Sequence, residues 1–207
     1  MRKADVASLL RIPLLLLLVY AIAIRFNPVA VLLLLAILFV SDAADGYLTF
    51  DEKLSMRDFV HYLFEEAHVS KKRQRSRTTP PAHAAFLDIA IDRIVEYLLW
   101  LAFVVLAATP WFVLAIIFVR NSIADTLVFR KRRTFSEMHT AFGKIASSHV
   151  SRGAYAVLKA VNFAYLALVV TAGWPIVVGY ALTAIVVAFS LARGAAEAYE
   201  ALRHADA

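Results

Sequence analysis

"VLLLLAILFVSDAADGYLTF", Val31 to Phe50, decides how this chain is read. An apolar run suited to the middle of a membrane leads straight into Asp42 and Asp45, with Gly46 directly behind. An acidic group at mid-bilayer costs roughly 2.5–3.5 kcal/mol on insertion scales, so one that persists there marks a pairing or a function. Two acids at i, i+3 also share a helix face. The stretch predicts a spanning helix whose end carries an acidic site.

The rest of the chain extends that reading. Of 207 residues 61% are hydrophobic and 18% charged, a composition foreign to a soluble domain and suited to a single transmembrane domain over 1–207. Covering about 30 Å of hydrocarbon takes about 20 apolar residues. Six segments qualify, at about 7–26, 28–49, 84–108, 111–129, 150–172 and 175–195. Asn27-Pro28, Thr109-Pro110 and Gly173-Trp174-Pro175 are short breaks that pair them as hairpins. The first segment lacks a small-residue cleavage site and meets the next span at once, so it is expected to stay as a span. There are no cysteines, which excludes disulfides and thiolate metal sites.

Basic residues set the orientation. Arg2, Lys3, the run 71–77, the run 130–133 and Arg203 fall on one side of a six-span arrangement, and Arg25 on the other. The positive-inside rule makes the first side cytoplasmic, both termini included, in a multi-pass protein of the cell membrane. The net charge of +6 is then topology and contact with anionic membrane lipid rather than nucleic-acid binding. Between Asp51 and Pro81, Met56, Phe59, Val60, Leu63 and Ala67 keep one-face helical spacing. This insertion is expected to be an interfacial helix followed by a polar loop, serving as a tether or as a lid. The fold class is an all-α membrane protein: six transmembrane helices plus a cytoplasmic interfacial helix.

A second acidic pair opens the third span. In "AAFLDIAID", Asp88 and Asp92 stand at i, i+4 and again share a face. The first pair ends an inward helix and the second begins an outward one, so all four acids belong at the same depth. Four converging carboxylates repel one another unless protons or cations neutralise them. An all-oxygen set suits Mg²⁺, Mn²⁺ or Ca²⁺ rather than zinc. Four aspartates can hold two ions, and two-metal sites act on phosphate esters. The plain alternative is ion pairing between helices through Arg93, Arg120 or Lys159. Glu96, one turn beyond Asp92, is expected to pair with Lys159 inside the bundle.

"DAADGYLTF…AAFLDIAIDR" resembles the signature of the CDP-alcohol phosphatidyltransferases, D-x2-D-G-x2-A-R-x8-G-x3-D-x3-D. Asp42, Asp45, Gly46, Asp88 and Asp92 match it. "SLLRIPLLLLLVY", with Arg11, is similar to the family's opening helix. "PWFVLAIIFVR", ending at Arg120, and "FGKIASS", around Lys144, resemble its phosphatidylglycerophosphate synthase branch. Thr49 and Phe50 replace the signature's Ala-Arg, Ala84 replaces its second glycine, and the insertion lengthens the interval between the acidic pairs.

The resemblance implies a phosphatidyltransferase of phospholipid biosynthesis. An alcohol attacks the lipid-linked phosphate of a CDP-activated lipid, such as CDP-diacylglycerol, and CMP leaves. Asp42, Asp45, Asp88 and Asp92 would hold the metal, Mg²⁺ or Mn²⁺ and two ions, with Asp92 as general base. Gly46 and Ala84 would line the nucleotide. Lys53, Arg57 or the 71–77 run would supply the donor-phosphate contact missing at Phe50. Arg120, Lys144 and Arg193 suit a phosphorylated acceptor, whereas Arg152 reads as snorkelling to headgroups. Glycerol 3-phosphate is the first choice of acceptor, followed by inositol phosphate and then serine or an amino alcohol. A homodimer also follows from the resemblance. Two other classes stay open: an ion-coupled carrier, disfavoured because the acids avoid the midplane, and a catalytically inactive relative that binds CDP-lipid.

Overall fold

The computed structural model describes residues 3–48, 82–131 and 149–203. All of the regular structure among them is helical. In chain order the helices are α1 (Lys3–Ala23), α2 (Pro28–Leu48), α3 (Ala82–Val105), α4 (Trp111–Lys131), α5 (His149–Ala172) and α6 (Ile176–Arg203). The expected interfacial helix and loop at 51–81 lie outside the described residues.

Each of the three short breaks closes a hairpin. Arg25 (φ 53°) and Ala107 (φ 58°) take left-handed backbone, and Gly173 (φ 70°) does the same. At the end of α1, the amide of Phe26 donates to the Ala21 carbonyl (2.8 Å) and that of Arg25 to Ile22 (3.0 Å). At the end of α3, Ala108 donates to Phe103 (2.8 Å) and Ala107 to Val104 (3.0 Å). Both pairs form the Schellman pattern that satisfies orphan carbonyls at a helix end. A proline follows two or three residues later in every case and cannot extend the previous helix. Asn27 then caps α2, its Oδ1 accepting from the amides of Val29 (2.9 Å) and Ala30 (3.3 Å). Asn27→Ala is expected to cost about 1 kcal/mol, read as a lower thermal midpoint of the purified protein.

The helices pack in a definite order. α1 lies against α2, α3 and α5; α2 also meets α5, and α3 meets α4 and α5; α6 packs on α4 and α5. Phe163 of α5 ties three helices together. Its ring meets Trp100 edge-on at 4.8 Å and stacks with Phe103 at 5.8 Å and Phe39 at 6.3 Å. Leu15, Leu18, Leu38, Ile91, Leu99 and Ile117 complete the buried core around it.

Apolar side chains fill the core and also face outward, while several polar ones are buried among the helices. Arg11, Glu96, Asn121, Asn162, Thr183 and Ser190 are buried, whereas Leu10, Leu16, Leu33, Val40, Val105 and Val177 face outward. Among the described residues two segments, Ser151–Ala172 and Ile176–Ala196, are long and apolar enough to cross a membrane. α6 continues to Arg203, eight residues past the expected end near 195. Apolar content falls off in "GAAEAYEALR", but its Ala, Glu, Leu and Arg are strong helix formers. Hydropathy marked where the oily part stops rather than where the helix does.

Candidate functional site

The hairpins bring the chemistry to one end of the bundle. α2 runs antiparallel to α1, so its last turns, with Asp42, Asp45 and Gly46, return beside the start of α1. α3 begins at that same end, with Ala84 and Asp88 in its first two turns. Across α1 and α3, Arg11 Nη1 donates to Asp92 Oδ1 at 2.7 Å. Asp88 lies one turn from Asp92, about 6 Å closer to that end at 1.5 Å per residue. The side chains of Asp42, Asp45, Gly46, Ala84 and Asp88 lie outside the described residues, as do Lys53, Arg57 and Lys144 altogether. No group of three or more His, Asp or Glu side chains stands together among the described residues.

Asp92 is 45% exposed at this end, while its partner Arg11 is only 4% exposed. Oδ2 of Asp92 has no hydrogen-bond partner among the described residues. Spacing alone did not pair Arg11 with Asp92, since 81 residues separate them.

One turn deeper, a polar network joins α3 to α4 and α5. Arg93 holds Asp125 with two hydrogen bonds of 2.7 Å, the fork geometry that suits a carboxylate. Arg93 also lies 3.4 Å from Glu96. Glu96 meets Lys159 at 3.3 Å, as its position one turn beyond Asp92 suggested, and accepts from Asn121 Nδ2 at 3.4 Å. Arg93 and Lys159 thus pair with Asp125 and Glu96, while Asp92 of the quartet is ion-paired with Arg11. Asp125 escaped the sequence reading. An acid within an apolar helix carrying Arg120 was the available signal.

Of the cations expected to meet an acceptor, Arg120 and Arg193 come together at α6. Arg120 donates from Nε to the Ser190 carbonyl (3.2 Å) and from Nη1 to Asn121 Oδ1 (3.0 Å). A Cβ on Gly194 would lie 2.9 Å from Arg120 Nε and 3.0 Å from its Cγ, so the glycine makes the path for this side chain. Arg193 precedes Gly194, and its guanidinium lies 5.4 Å from the centre of the Tyr155 ring. Lys159 approaches the same ring, also at 5.4 Å. Tyr155, itself stacked on Phe189 at 5.8 Å, is a shared wall that the sequence reading missed. Arg193 and Lys159 thus share the Tyr155 ring, with Lys159 neutralised by Glu96.

No family model matches this chain, and no curated protein or solved structure does. What the site does must therefore be argued from its own residues.

Proposed function

We propose that this protein is an integral membrane phosphatidyltransferase with six spans, moving the lipid phosphate of a CDP-activated lipid to an alcohol acceptor. Membrane embedding is supported by the many outward leucines and valines, together with the polar Glu96, Asn121 and Asn162 kept inside the bundle. Trp111 and Trp174 are exposed beside the turns that precede α4 and α6, where an aromatic interfacial belt would sit. The basic runs at 71–77 and 130–133 lie toward the opposite end in the chain, which the positive-inside rule makes cytoplasmic, with Asp42, Asp45, Asp88 and Asp92.

What supports the reaction is that the helix turns bearing Asp42, Asp45, Asp88 and Asp92 come to one end of an apolar bundle, with Arg120 reaching the helix that carries Arg193. A donor dissolved in the bilayer and a polar acceptor from the cytoplasm meet only at such a level. The acids offer carboxylate oxygens and the chain has no cysteine, so the donor set fits a hard divalent cation. Asp42, Asp45, Asp88 and Asp92 would hold Mg²⁺ or Mn²⁺, two ions, whose charge would neutralise the attacked and leaving oxygens. Asp92 takes the proton of the acceptor hydroxyl as its oxygen bonds to the lipid-linked phosphorus. The bond from that phosphorus to the bridging oxygen breaks, and CMP leaves with the bridging oxygen. Arg120, Arg193 and Lys144 receive the acceptor's own phosphate, with glycerol 3-phosphate first and inositol phosphate second.

The purified protein, given CDP-diacylglycerol, Mg²⁺ or Mn²⁺ and a panel of acceptors, is expected to release CMP with one of them and to stop when the metal is chelated. Metal-dependent binding without release with any acceptor would mark an inactive binder. Neither binding nor release would point to the carrier.

A further inference from the structure

We infer that Gly194 is a positioning residue for Arg120. By carrying no side chain it gives the Arg120 stem a seat against α6, and that seat fixes the cation offered to a phosphorylated acceptor. The acceptor part rests on the phosphatidyltransferase reading above. Gly194 lies inside α6, in "LARGAAEAYE", with Ala192, Ala195, Ala196 and Ala198 around it. Its backbone is ordinary helix, unlike the left-handed Gly173. In a helix interior glycine is less stable than alanine, because it loses more backbone freedom on folding. Conformation therefore gives no reason for a glycine here.

Space does. A Cβ at Gly194 would lie 2.9 Å from Arg120 Nε, 3.0 Å from Cγ and 3.5 Å from Cδ. A Cβ at Gly153 would meet nothing within 4 Å, and at Gly179 the nearest atom is the tip of a leucine, Leu166 Cδ2 at 3.1 Å. At Gly194 the obstacle is three consecutive atoms of one stem, beginning close to the α4 backbone, so moving the tip alone does not clear it. Whatever else the guanidinium touches, this stem fills the space. Seated there, Nε donates to the Ser190 carbonyl at 3.2 Å and Nη1 to Asn121 Oδ1 at 3.0 Å. A long cationic side chain in an apolar helix otherwise runs along its own helix toward the headgroups. Gly194 lets Arg120 turn sideways instead, from α4 onto the turn of α6 that carries Arg193. An alanine would push the stem off α6 and shift the guanidinium with it.

The test uses the full chain in detergent or nanodiscs. Gly194→Ala is expected to raise the KM of the phosphorylated acceptor, glycerol 3-phosphate or inositol phosphate, by about tenfold, the lower end for one lost hydrogen bond from a charged group. kcat and the KM of CDP-diacylglycerol should stay within about threefold, the pattern of lost ground-state binding. The seat itself is read from thermal unfolding, without turnover. In an Arg120→Ala background the space is empty, so adding Gly194→Ala should raise the midpoint by about 2–4 °C, the gain from a better helix former. With Arg120 present the same change should bring no gain, because crowding opposes it. If Arg120→Ala does not fold, Arg120→Ser, which also lacks the stem, takes its place. Equal gains in both backgrounds overturn the seat. An unchanged acceptor KM in Gly194→Ala, or a donor KM that rises with it, overturns the positioning role. A wild type that releases no CMP with any acceptor removes the phosphatidyltransferase reading and the acceptor part with it, while the unfolding comparison still decides the seat.

Discussion

Asp92→Asn is expected to remove turnover while leaving nucleotide binding largely intact. A general base contributes about 10²–10⁴-fold, and asparagine cannot accept the proton of the acceptor hydroxyl. The structure makes this substitution unusually selective. Asparagine retains an Oδ1 that can accept from Arg11 Nη1, the contact now 2.7 Å long, so the side chain keeps its direction while it loses its charge and its basicity, with three aspartates left for the metal. An interaction used only in the transition state lowers kcat and kcat/KM together and leaves ground-state binding in place.

Asp42→Asn and Asp88→Asn should behave differently, losing metal and nucleotide together. CDP titrations in Mg²⁺ alongside CMP-release kinetics separate the two patterns. If Asp92→Asn retained more than about a tenth of the wild-type rate, less than the smallest usual contribution of a base, then Asp92 would not be the base.

Much of this arrangement was legible in the sequence, for reasons that also explain what was not. Six helices begin and end within a few residues of the apolar runs, except at the end of α6, because Asn27-Pro28, Thr109-Pro110 and Gly173-Trp174-Pro175 are local signals. Glu96 and Lys159 were paired correctly because two opposite charges deep in apolar helices have few other options.

The pairing of Arg11 with Asp92 depends on how far α1 slides along α3, and that register is set by packing between helices far apart in sequence. Asp125 raises the same difficulty, since only the meeting of α3 and α4 decides that Arg93 faces it. The acidic pairs could be assigned to helix ends from their neighbours. At the acidic end the side chain whose partner the structure describes is Asp92, held by Arg11.

The second large effect concerns stability and comes from the Arg93–Asp125–Glu96–Lys159 network. Its two cations and two acids balance, and Glu96 is 5% exposed. Removing one partner of a buried ion pair costs about 3–5 kcal/mol because it strands a charge, whereas replacing both partners with apolar groups is often neutral. Lys159→Met leaves Glu96 with Arg93 and Asn121, each 3.4 Å away, so its loss should fall at the lower end of that range. Arg93→Met strands Asp125 and loosens Glu96 at once, and should be the most damaging single change.

The double variant Glu96→Met with Lys159→Met restores the balance between Arg93 and Asp125 and should be more stable than Lys159→Met alone. Reversible unfolding of the four proteins in one detergent tests the order: wild type and double variant high, Lys159→Met lower, Arg93→Met lowest. A double variant no more stable than Lys159→Met would mean that the charge left on Glu96 is not what destabilises the single variant. Asn121, already 3.4 Å from Glu96, would then be compensating the acid without help from the lysine.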